Sequence, residues 1–293
     1  MFTAMLGYAQ QDAQFTQYMY NTINVNPAYA GSRGVMSIFA LHRTQWVGLD
    51  GAPTTNAISI NTPFNGSRLG LGISVISDKI GPTKENTLST DFSYTIPTSE
   101  NVKLSFGIKA TANIFDLDAS KLTPEQGGDP KLRGFNNKFT PNIGAGIYLH
   151  SDKAYVGLSI PNFIETNRYD DNEVALFKEK INYYLIAGYV MDLRYNIKFK
   201  PALLTKMVQG APLQVDMSAN FMFNDKLTVG AAYRLSAAAS AMVGFQLSDS
   251  MYIGYGYDLE TTKLNNYNSG SHEIFFRYEI FKTNNKINAP RFF

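Results

Sequence analysis

Along residues 101–115 the chain alternates without a break. Val102, Leu104, Phe106, Ile108, Ala110, Ala112 and Ile114 share one face, and Lys103, Ser105, Gly107, Lys109, Thr111 and Asn113 share the other. A strict period of two predicts a β-strand with one apolar and one polar face. The run is about twice the usual five or six residues of a globular strand, and about 9–11 tilted residues suffice to cross a bilayer. The pattern recurs and predicts fourteen strands, near 35–46, 54–62, 68–77, 86–96, 101–115, 141–150, 153–160, 182–191, 196–206, 213–223, 226–235, 239–247, 251–259 and 272–281. An even count is what single-chain bacterial barrels use. Fourteen apolar rows are too many for one lumen to bury, so they are expected to meet lipid, with the polar, small-residue rows facing inward. Closure removes the free edges, the only sheet solution in a bilayer. The expected fold is all-β: a closed antiparallel transmembrane barrel of about 14 strands. A soluble sandwich or propeller alternates too, with shorter strands.

Two strands fit less cleanly: 182–191 is apolar on both faces, and 196–206 carries Pro201 in its interior. The links add a second signal. Those after even strands are mostly tight, whereas 78–85, 116–140, 161–181, 207–212 and 260–271, after odd strands, run longer. Short turns on one side and long loops on the other are the outer-membrane pattern, the short side facing the periplasm. Both termini are then expected in the periplasm. The link 236–238 is too short for its side. Residues 35–281 thus form the barrel, 11–34 an N-terminal arm that is polar with spaced aromatics, and 282–293 a polar tail. The apolar start, 1–10, ends in Tyr8-Ala9-Gln10 and resembles the remnant of a signal peptide, although no basic residue precedes Arg33.

Composition narrows the function. Charged residues are 17% of the chain, below the usual quarter, and the 20 Phe and 18 Tyr dominate the aromatics. No window approaches the 18 consecutive apolar residues of a spanning helix. A net charge of +2 gives no sign of a nucleic-acid partner, and the absence of cysteine removes disulfides and thiolate chemistry. His42, His150 and His272 stand singly and read as wall or girdle residues. The acidic run 170–173 lacks the glycine and spacing of a calcium loop. Gly127-Gly128-Asp129-Pro130 is turn punctuation with no phosphate-cradle context. No catalytic triad, metal set or cofactor motif can be assembled, and the chain reads as a non-enzyme. The inward rows mix signs, with Asp91, Lys103, Lys109, Asp216, Arg234, Asp258, Glu273 and Arg277 as candidate lumen charges beside Lys198 and Lys200. A selective pore favours a ring of one sign, so mixed charge fits a plugged barrel or one that grips a peptide.

The arm and first hairpin carry a resemblance. Gln11-Asp12-Ala13-Gln14-Phe15-Thr16-Gln17-Tyr18-Met19-Tyr20-Asn21, then Asn26-Pro27-Ala28-Tyr29-Ala30-Gly31-Ser32, then Arg43-Thr44-Gln45-Trp46-Val47-Gly48-Leu49-Asp50-Gly51-Ala52-Pro53-Thr54-Thr55, are similar to the N-terminal signature of the PorP/SprF family. Ser271-His272-Glu273-Ile274 fits its last strand, and Ala13 departs from a frequent Pro. The resemblance implies an outer-membrane barrel of the type IX secretion system of Bacteroidetes. Some members look like parts of the translocon that contact its periplasmic ring. Others are paired with an exported adhesin, gliding adhesins included, or with its C-terminal sorting domain. Partners are therefore expected to be secretion components, cargo C-terminal domains and outer-membrane lipid, with no cofactor. Phe15, Gln17, Tyr18, Asn26, Pro27, Tyr29, Arg43 and Trp46 are the candidates for partner docking or for a plug. A simple latch on the first strand is the other role open to the arm, and a channel or transporter for small or hydrophobic solutes is the other function open to the barrel.

Overall fold

A computed structural model describes residues 18–64, 67–121, 135–165 and 180–281. Fifteen strands follow: β1 (Met36–Thr44), β2 (Thr54–Pro63), β3 (Leu69–Ile80), β4 (Thr83–Pro97), β5 (Val102–Leu117), β6 (Phe135–Ser151), β7 (Ala154–Ile160), β8 (Asn182–Tyr189), β9 (Met191–Arg194), β10 (Ile197–Val208), β11 (Gln214–Phe223), β12 (Leu227–Arg234), β13 (Ala238–Gln246), β14 (Met251–Glu260) and β15 (Ser271–Ile280). The strands pair antiparallel with their sequence neighbours except that β8 and β9 both pair with β10 and not with each other, and β15 closes onto β1 from Met36↔Ile280 to Thr44↔His272. The result is a closed barrel of fourteen staves, with β9 a short extra strand against β10.

Burial is inverted relative to a soluble protein. On β5, Ile108 is 63% exposed while its neighbour Lys109 is 5% exposed and Ser105 fully buried. Ile58, Ile73, Phe92, Ile143 and Leu158 are likewise turned outward, and Ser59, Ser74, Asp91 and Asn142 inward. Such an apolar outer surface is tolerable only where the surrounding solvent is hydrocarbon.

The structure departs from the sequence expectation in three places. The anticipated loop 78–85 is strand up to a two-residue turn, because β3 and β4 stay in register to Ile80↔Thr83. Its Asp, Lys and Glu read as loop composition, yet a hairpin that rises past the hydrocarbon can carry polar residues on both faces. The sixth strand begins at Phe135, not near 141, for the same reason. The eighth breaks at Val190, which is buried and donates its N–H to the Lys153 carbonyl (2.7 Å), leaving β8 and β9 where one strand was expected. The turns at the end where β1 begins and β15 finishes, 64–68, 98–101, 152–153, 195–196, 224–226 and 247–250, are all short. The opposite side carries the long links 45–53, 118–134, 161–181 and 261–270, together with the tight ones 81–82 and 235–237.

Candidate functional site

The lumen holds the N-terminal arm. Its described part makes three single-turn 3-10 helices, Tyr18–Tyr20, Thr22–Asn24 and Pro27–Tyr29, before β1 starts. Local chemistry sets the last turn. Asn26 caps it, its side-chain oxygen accepting the Ala28 N–H (3.0 Å), and Pro27 occupies the first position, where a missing N–H is harmless. Gly31 then reverses the chain at φ +72°, with Pro63 and Gly70 so close that a side chain has no room.

Small residues on the inner wall make the seat. Added Cβ atoms would strike Ile23 at Gly72, the Ala28 backbone at Gly107, the Asn26 carboxamide at Gly146 and Gly157, and the Ala30 carbonyl at Gly70. The arm's own polar groups are met by the wall. Ser59 Oγ donates to Asn21 Oδ1 (2.8 Å), Lys109 Nζ to the Ile23 carbonyl (3.2 Å), Ser159 Oγ to Val25 (2.6 Å) and Ser93 Oγ to Ala30 (2.6 Å). Asn26 Nδ2 donates in turn to the Ile147 carbonyl of β6 (3.0 Å). These bonds matter because a backbone carbonyl buried without a donor costs free energy.

On the far wall Tyr20 stacks with Tyr252 and meets Phe275 at a tilt, ring centroids 5.6 and 5.0 Å apart, and Phe275 stacks with Phe39. Lys200 Nζ lies 5.2 Å from the Tyr20 ring, and Arg277 faces the Tyr252 ring at the same distance. Tyr29 meets Tyr148 edge-on at 5.6 Å. The arm therefore spans the lumen, from β2–β7 to β10, β14 and β15. At the end where β1 begins and β15 finishes, Arg33 Nε donates to Glu279 Oε1 (2.7 Å), tying the arm to β15.

The candidate residues separate into groups. Tyr18, Asn26, Pro27 and Tyr29 are all buried within the lumen. Phe15 and Gln17 lie outside the described residues, as do segments 1–10 and 282–293, the acidic run 170–173 and the turn at 127–130. Arg43 sits elsewhere in the lumen, bracketed by Asp258 (2.7 Å) and Glu273 (3.1 Å). Trp46 belongs to the loop after β1 at φ +45°, its indole N–H donating to Glu260 Oε1 (2.8 Å).

Most candidate lumen charges are buried and paired: Asp91 with Lys109 (3.3 Å), Asp216 with Arg234 (2.7 Å) and Arg277 with Glu279 (3.6 Å). Lys103 differs; it is exposed at the rim beside the turn 98–101. Sequence reasoning missed Arg33, Phe275 and the specific glycines of the seat, although the abundance of small residues on the inward rows pointed to something being accommodated. Among the described residues no group of His, Asp and Glu is placed to hold a metal ion.

A family model described as type IX secretion system membrane protein PorP/SprF matches residues 7–278. No curated protein matches the sequence. Among solved structures, the outer membrane protein Omp33 of Acinetobacter baumannii aligns with a TM-score of 0.50 at 10% identity, over 84% of this chain and 99% of that one. The monoaromatic hydrocarbon channel CymD aligns with a TM-score of 0.51 at 13% identity, over 94% and 95%. At such identities the likeness concerns the outer-membrane barrel fold alone.

Proposed function

The chain belongs to the PorP/SprF family of type IX secretion system membrane proteins, and from that premise we propose that it works as a plugged outer-membrane barrel that binds protein. Its partner is an exported cargo protein, held through its C-terminal domain for secretion or surface anchoring, or a subunit of the secretion machinery. One observation carries the reading. The arm crosses the lumen, buried from Tyr18 to Ala30 apart from Asn24 and Val25, and is fastened to both walls. A barrel blocked in this way is poorly suited to conduct solute and well suited to present fixed surfaces at its two ends. The mixed charges of the lumen favour the same reading, since most of them are already paired with a neighbour. In this proposal the termini and short turns face the periplasm, and the long links face outward.

The solute-channel reading draws support from the barrel itself, and the seated arm counts against it. The decisive experiment is purification of the tagged protein from detergent-solubilised outer membranes, with identification of what accompanies it. Recovery of an exported protein's C-terminal domain or of secretion subunits is the expected result. Deleting 11–20 should abolish cargo secretion or anchoring while the barrel still folds. Purified protein with neither partner, and with a steady selective current in planar bilayers, would overturn the proposal.

A further inference from the structure

The outer surface of the barrel is not uniform around its circumference. On the outward rows of β6–β8 and β10–β13 no charged side chain occurs among the described residues. On β14, β15 and β1–β4 every carboxylate alternates onto the inner row, whereas Lys79, Lys84, His42 and His272 all stand outward and exposed. All four lie toward the loop end. Lys79 and Lys84 are directly opposite each other in the β3–β4 ladder, an arrangement of like charges that is unfavourable unless an anion lies between them. Neither lysine has an ion pair among the described residues. Asp116, directly across from Lys84 on β5, continues the outward row of that strand and also accepts the Asn137 N–H (2.6 Å); it flanks Lys84, while Lys79 lies one strand further away on β3.

Height decides what such an anion is. Val75 is the last apolar residue of the outward row on β3. Lys79 follows four residues later, which at the usual rise and barrel tilt is about 10 Å further from the membrane centre. That carries both ammonium groups out of the hydrocarbon and into the headgroup layer. Beside them runs a row of hydrogen-bonding side chains. His42 Nδ1 lies 2.8 Å from Asn56 Oδ1, and His272 Nδ1 lies 2.6 Å from the Tyr255 hydroxyl, all on the lipid-facing surface.

We propose that this outer wall of β15 and β1–β4 binds the phosphorylated saccharide headgroup of an outer-leaflet lipid. Lys79 and Lys84 hold its phosphate, and the His42–Asn56 and His272–Tyr255 pairs hydrogen-bond its sugar hydroxyls. The inference rests on the proposed orientation, in which the long links face outward. The test uses full-length protein in detergent, titrated with bisphosphorylated lipid A and followed by native mass spectrometry. Lipid A should bind the unaltered protein, and Lys79→Gln with Lys84→Gln should weaken it at least about tenfold, as loss of charge-assisted contacts requires. Lys153→Gln, in a turn at the other end, should leave binding unchanged. Equal binding of dephosphorylated lipid A, equal binding of phosphatidylglycerol, or no effect of the two substitutions would each overturn the site. Maleimide labelling of Lys79→Cys on intact cells checks the orientation independently. A labelled cysteine without lipid A binding defeats this inference alone, whereas an unlabelled one defeats the orientation as well.

Discussion

Replacing Gly107 by Ala puts a methyl group where the arm now lies. The new Cβ would fall 2.5 Å from Ala28 Cα, with the Ala28 nitrogen closer still. The obstacle is backbone on both sides, since Gly107 is held in the β5 ladder opposite Ser93 and Gly146. Neither side can yield by turning a side chain. Overpacking of this kind costs about 1–3 kcal/mol. The barrel ladders do not need the arm, so the strain falls on the docking of residues 18–30. At about 1.4 kcal/mol per tenfold, the population of unseated arm should rise about 5- to 150-fold. The readouts are protease cleavage of the arm in detergent-solubilised protein and current through planar bilayers, both of which should increase. Ala110→Val, on the lipid-facing row of the same strand, should change neither. A correctly folded Gly107→Ala protein, shown by heat-modifiable gel migration, with no gain in cleavage or current would refute the idea that the arm plugs the lumen through this contact.

Three further outcomes follow from named contacts. Asn26→Ala removes both the cap on the last turn and the bond to the Ile147 carbonyl; a loss of about 1–2 kcal/mol in arm docking is expected, read as faster proteolysis before β1 with the barrel intact. Arg43→Met leaves Asp258 and Glu273 buried without their shared cation, and should lower barrel stability by about 3–5 kcal/mol in urea titrations. Ile108→Arg, at a position 63% exposed, would be nearly neutral in water but should cost about 2–4 kcal/mol of folding into liposomes if it faces mid-bilayer lipid.

The staves were legible because lipid and lumen enforce a period of two. β5, β11 and β14 could be read residue by residue, and even the face each residue takes was settled by parity. Legibility failed where that constraint lapses. Beyond the hydrocarbon the β3–β4 hairpin meets polar surroundings on both faces, so Asp78, Lys79, Lys84 and Glu85 imitate a loop. At Val190 one stave is interrupted, and an apolar run such as 182–191 contains no sign of it. The arm was recognisable as a distinct segment with spaced aromatics, but its path was not. Gly107, Gly146 and Gly157 are inward glycines like others in the chain, and only the folded closeness of Asn26 and Ala28 distinguishes them. Lys103 shows the same limit from the other direction, since parity gives the row and not the depth.

The clamp between Arg33 and Glu279 has a consequence for biogenesis. The segment translated just before the first stave is gripped by a carboxylate on the last, one residue from the end of β15. A nascent chain halted before β15 has no Glu279 for Arg33, no Phe275 for Tyr20 and no partner along one flank of β1. Full seating of the leading segment therefore waits on cylinder closure. An assembly factor that stitches the final seam would at the same time cork the vessel, so a leaky intermediate need never be released into the membrane.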